Sequence, residues 1–138
     1  MTSNAGRASL ALTLLLAIGT PVRADTQADY VLHCGGCHQP DGSGVPTIVP
    51  SLHDNLGRII TVPQGREFLI RVPGSSQSLM DDGELAAVIN YILTEFNSAT
   101  LADDFEAYTT QEVKEARRNV LMDPMKLRAE LWRRYKGA

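Results

Sequence analysis

Leu85, Val88, Ile89, Ile92 and Phe96 recur at the spacing of one helical face, and Tyr91 and Leu93 widen it. Asp81 precedes this run and Glu84 follows three residues later, the two halves of a capping box, so a helix is predicted from just after Asp81 to about Phe96. A second helix is predicted over residues 26–33, with Thr26 as its N-cap and Asp29 in the first turn, where a negative charge suits the helix dipole. Residues 65–72 read as a short helix between Pro63 and Pro73, with Phe68, Leu69 and Val72 on one face. Thr109 and Glu112 form another capping box, opening a helix to about Val120. Asp123-Pro124 then starts a last helix, aspartate as N-cap and proline at the first helical position, running to about Tyr135 and stopping before Gly137. Its apolar stripe is Leu127, Leu131, Trp132 and Tyr135. No stretch alternates as a half-buried strand does, so the expected fold class is all-α.

Between these elements the chain is rich in turn formers. Residues 39–46 (Gln-Pro-Asp-Gly-Ser-Gly-Val-Pro) form a loop that continues to Val49-Pro50-Ser51-Leu52, residues 74–78 form a polar loop, and residues 97–104 read as a linker. The start of the chain has a different character. Arg7, an apolar run from Leu10 to Ile18, the helix-breaking Gly19-Thr20-Pro21, and Val22-Arg23-Ala24 have the layout of a secretory signal peptide. The apolar run is about ten residues, too short for the roughly 20 that a bilayer span needs. Three segments are therefore expected: a cleaved leader over residues 1–24, a helical domain over residues 25–97, and a helical C-terminal extension over residues 98–138. Export would place the mature chain in the periplasm.

Charge divides along the same line. The 138 residues carry 13 Lys and Arg against 16 Asp and Glu, a formal net of −3. Residues 25–96 hold nine acids and three bases, whereas residues 97–138 hold seven acids and eight bases. An acidic domain with a basic appendage follows, and acidity together with export disfavours nucleic acid as a partner.

The chain has two cysteines, and they stand in Cys34-Gly35-Gly36-Cys37-His38, the C-x-x-C-H signature of covalent haem attachment. The spacing suits the chemistry. Two thiols add to the two vinyl groups of the haem, and a tight turn sets the next imidazole beneath the iron; Gly35 and Gly36 leave that turn unhindered. A thioredoxin-like pair would need a βαβ setting, a zinc site would need further ligands, and a plain disulfide leaves the adjacent histidine unexplained. Cys34 and Cys37 are thus the expected thioether anchors of one haem c, and His38 the proximal iron ligand. A ligating histidine normally has its second ring nitrogen held by an acceptor, and the carbonyl of Pro50 is the candidate.

Residues 27–96 as a whole resemble a class I cytochrome c domain. The resemblance rests on a helix running into C-x-x-C-H, the Gly42-Ser43-Gly44 loop, the Pro50-Ser51-Leu52 segment, a mid-chain helix, and a terminal helix carrying Tyr91. It implies that the first and last helices of the domain cross with Tyr30 and Tyr91 at the contact, and that Pro50 orients the proximal histidine. It also implies a distal methionine about eight residues before the last helix, but Val72-Pro73 stands there. Met80 is the substitute, delivered by the 74–78 loop, unless it merely packs at the helix start. His53 and His33 are placed awkwardly for the distal face. Met122 and Met125 would reach it only if the tail folded over the haem.

The expected function is a periplasmic one-electron carrier, accepting from an exported dehydrogenase and passing electrons to another cytochrome or a terminal oxidase. The alternative is a haem protein with an open or labile sixth position that binds a small ligand, or the haem subunit of a larger oxidoreductase. The basic last helix offers a docking surface for an acidic redox partner or an anionic membrane, unless Leu131 and Trp132 pack on the domain and leave the charges in water.

Overall fold

A computed structural model describes residues 25–137; the expected leader lies outside them. Eight helical segments follow one another: α1 (Thr26–His33), α2 (Gly35–His38), α3 (Leu56–Ile59), α4 (Gly65–Arg71), α5 (Pro73–Ser76), α6 (Asp82–Phe96), α7 (Thr110–Ala116) and α8 (Pro124–Gly137). No strand occurs among the described residues, where β pairing is limited to an isolated bridge between Val45 and Val49. None of these helices is long and apolar enough to cross a membrane.

The capping box of α6 is complete. The Asp81 carboxylate accepts from the Gly83 and Glu84 amides, and the Glu84 side chain accepts from the Asp81 amide. α1 departs slightly from expectation: its cap is Asp25, whose side chain accepts from the Gln27 amide, so Thr26 is already helical. α7 keeps Thr109 as its cap but ends at Ala116, well short of Val120. Its other boxed residue, Glu112, turns away to make a bidentate pair with Arg66 of α4, both contacts 2.8 Å. α8 begins at Pro124, with Asp123 accepting from the Lys126 amide at 3.0 Å, and runs through to Gly137. Residues 74–78 are expected as a polar loop, but 73–76 make the helical turn α5. Proline sits at its first position, and the Ser76 hydroxyl returns to the Val72 carbonyl at 3.1 Å.

α1 and α6 cross at an aromatic cluster. Tyr30 is fully buried, its ring centroid 5.6 Å from that of Tyr91 and 5.3 Å from that of Phe96. Gly42, with φ +77°, lies flat on the Phe96 ring, where a Cβ would come within 2.9 Å. One apolar cluster spans the described chain, from Tyr30 and Ile59 through Ile70, Leu85 and Leu93 to Val113 and Leu131. The extension is therefore part of the core. Leu131 of α8 is completely buried, Trp132 is packed beside it, and Arg117 reaches from the end of α7 to the carbonyls of Ser76, Ser78 and Met80 and to Asp82.

Asn97 ties the end of α6 to α3 and to the segment before it. Its side chain is fully buried; it accepts from the Leu56 and Gly57 amides and donates to the Leu52 and Ile92 carbonyls. Truncating it leaves several buried backbone groups without partners, each costing about 1–3 kcal/mol. Asn97→Ala should therefore lower the unfolding free energy of the holoprotein by about 3 kcal/mol, read as a shift in urea midpoint at unchanged slope.

Candidate haem site

α1 runs directly into the C-x-x-C-H turn. The Cys34 amide donates to the Tyr30 carbonyl at 2.8 Å, and the His38 amide donates back to the Cys34 carbonyl at 2.9 Å, so the motif is one further helical turn after a bend. The Tyr30 hydroxyl donates to the Gln39 carbonyl at 2.7 Å, fixing the exit of the turn to the helix that enters it. Both thiols are free, Cys34 half-buried and Cys37 exposed.

The loop after the motif folds back beneath it. The Gly44 amide donates to the His38 carbonyl at 2.8 Å, and Val45 and Val49 pair by backbone hydrogen bonds. This delivers the Pro50 carbonyl to His38 Nδ1 at 3.0 Å. The contact leaves Nε2 as the ring nitrogen for a metal. Burial holds the His38 imidazole below its ordinary pKa, against the opposing pull of the Pro50 carbonyl, and this favours the neutral, metal-binding ring. Burial also raises the Cys34 thiol, with Cys37 adding to the effect, to a pKa of about 11.

Cys34, Cys37 and His38 line a cavity of about 320 Å³. Pro50, Leu52 and Leu56 form one wall; Phe68 and Leu69 of α4, Val72 just after it, and Ile89 and Ile92 of α6 form most of the rest. Apolar side chains, two free thiols and an oriented imidazole on a single cavity are what a covalently held haem requires. Three residues of the extension, Pro124, Met125 and Arg128, complete the lining. Arg128 is half-buried, burial pulls its guanidinium pKa down, and it makes no ion pair or hydrogen bond with the described residues.

The remaining sequence candidates fall elsewhere. Met80 is only 3 % exposed, belongs to the core cluster, and does not line the cavity. Because 73–76 is a helical turn and Arg117 holds the Met80 carbonyl at 3.0 Å, the segment delivers Met80 to the core and not to the distal face. His53 packs on Phe96 with Nε2 bonded to the Asp41 carbonyl. Met122 is 96 % exposed. His33 does line the cavity, at the edge next to Cys34.

No family model matches the chain. Among curated proteins it is similar to a cytochrome c-552 of Thermus thermophilus, 31 % identical over 137 residues that cover 86 % of this chain and 92 % of that protein. A second cytochrome c-552 of the same species is 34 % identical over 121 residues, covering 75 % and 92 % of the two chains. The chain belongs to the class I c-type cytochromes. As a member of that family it is a monohaem electron-transfer protein with covalently bound haem c, and its partners are redox proteins.

In this cytochrome the His38 side of the cavity hangs on Gly44. Its φ is +71°, and a Cβ there would meet the Val49 carbonyl oxygen at 2.5 Å and that of Pro50 at 2.8 Å. Gly44→Ala should push away the carbonyl that orients His38. The expected result is a clear fall in the fraction of purified protein carrying covalent haem, measured by the ratio of Soret to protein absorbance.

Proposed function

We propose that the chain is an exported carrier that takes single electrons from an exported dehydrogenase and hands them to another cytochrome or a terminal oxidase, with Cys34 and Cys37 as thioether anchors and His38 as the proximal ligand. The observation that carries this reading is the convergence of the two free thiols and the Pro50-bound imidazole on one apolar cavity. When bound there, the haem supplies a ferric–ferrous couple. The chain's own part is to keep water from most of the porphyrin, orient the His38 ring, and leave one edge accessible.

That edge is at Cys37, which is exposed beside exposed Gly36. Arg128, a half-buried cation without an acidic partner among the described residues, suits a haem propionate. The exposed Lys126, Arg133 and Lys136 of α8 suit an acidic redox partner. A membrane-lying role for α8 has less support, because the apolar stripe such a helix would insert is turned inward: Leu131 is fully buried and Leu127 and Trp132 pack on the core. Residues 1–24 serve as the leader that takes the chain to the periplasm, so a mature N-terminus at Asp25 is expected by mass spectrometry of the exported protein.

Cys37→Ala should leave one unreacted vinyl group, moving the α band of the reduced pyridine adduct to longer wavelength. Replacing both cysteines should release the haem under denaturing conditions. Redox titration of the unaltered holoprotein should give a single reversible wave with the slope of a one-electron couple. A protein that holds haem but cannot be cycled reversibly between ferric and ferrous would sink the carrier reading.

A further inference from the structure

We propose that the sixth ligand of the haem iron is the thioether of Met125, supplied by the first turn of the C-terminal helix α8. The assignment rests on the reading of Cys34, Cys37 and His38 as the haem anchor.

Val72-Pro73 forms the cavity wall where a class I cytochrome carries its methionine, and valine has no donor atom. The chain contains four methionines. Met1 belongs to the expected leader, Met80 is enclosed in the core with its carbonyl held by Arg117, and Met122 is 96 % exposed. Met125 alone among the described methionines lines the cavity, and it is 55 % exposed, not shut into the core as Met80 is.

The backbone brings it to that wall from two directions. On one side, the Leu121 amide donates to the Arg71 carbonyl at 2.9 Å and Arg71 Nε donates to the Asn119 carbonyl at 2.7 Å. These two bonds fasten the approach to α8 onto the end of α4, one residue before Val72. On the other side, Leu131 is sunk in the core, fixing the middle of the helix. Between the two anchors, Asp123 caps the first turn and Pro124 stands at its first position. Met125 and Arg128 are three residues apart, so they share a helical face, and both line the cavity. The long unbranched thioether side chain adapts readily to a gap of this kind. Thus the methionine that is missing before α6 is replaced from after it.

The competing donor is His33, which lines the same cavity but is tied to the edge next to Cys34. A nitrogen ligand and a sulfur ligand differ spectroscopically, so the two are separable. The test uses purified mature holoprotein and its Met125→Ala and Met80→Leu variants, each checked for covalent haem on a denaturing gel and for an unchanged far-ultraviolet spectrum. The expected result is a ferric sulfur-to-iron band in the near infrared in the unaltered protein, abolished in Met125→Ala and retained in Met80→Leu. Carbon monoxide should leave the reduced unaltered protein unchanged and shift the Soret band of reduced Met125→Ala. Survival of the near-infrared band in Met125→Ala would overturn the assignment. So would its absence from the unaltered protein, whether the iron is then low-spin through a nitrogen ligand or open to carbon monoxide. A preparation with no covalently retained haem would instead overturn the anchor, and this assignment with it.

Discussion

The aromatic crossing of α1 and α6 is the constraint on which the rest of the molecule depends. Tyr30 has no exposed surface, and its ring is fixed by Tyr91 and Phe96 while its hydroxyl holds the Gln39 carbonyl. One side chain thereby ties the last helix of the domain to the start of the attachment turn and to its exit. Burial of a tyrosine without a partner for its hydroxyl would be costly, so the bond to Gln39 is what makes this placement tolerable. Gly42 stacks on the outer face of Phe96, and the loop it begins carries Pro50 to His38. The orientation of the His38 imidazole thus follows in part from the packing of α1 against α6.

The C-terminal residues are joined to this frame by chemistry of a different kind. The Arg66 guanidinium forks onto the Glu112 carboxylate and lies 4.0 Å from the centroid of the Tyr108 ring. A partly exposed pair of this sort is modest by itself. Here it sits beside the buried side chains of Tyr108 and Val113, so α7 is held by burial and placed in register by charge. Arg117 extends the same logic, collecting three carbonyls and a carboxylate from the connection between α5 and α6.

Much of this is legible in the sequence. The capping box at Asp81 and Glu84 and the helical spacing from Leu85 to Phe96 are local patterns, and local patterns survive into the fold; the Pro50 carbonyl also meets the His38 ring, as the loop between them suggests. Three features are not legible. Asn97 reads as the first residue of a linker, because nothing near it in sequence announces the amides of Leu56 and Gly57 some forty residues away. Residues 74–78 read as a polar loop, yet 73–76 become a helical turn in which the Ser76 hydroxyl finds the Val72 carbonyl. The stripe on α8 announces that the helix packs, but an amphipathic pattern carries no address. Its seat is set by the bonds from Arg71 to Asn119 and Leu121.

That seat has a consequence for how the cavity opens. Cys34, Cys37 and His38 belong to the first sixth of the described residues, whereas Pro124, Met125 and Arg128, which complete the lining, lie near their other end. The stretch that carries these three is joined to the remainder by the bonds between Arg71 and residues 119 and 121 and by the buried Leu131. Local unfolding of α8 would therefore uncover the cavity while the turn that bears the two thiols and the imidazole stays folded, so its two sides are held by separate parts of the structure.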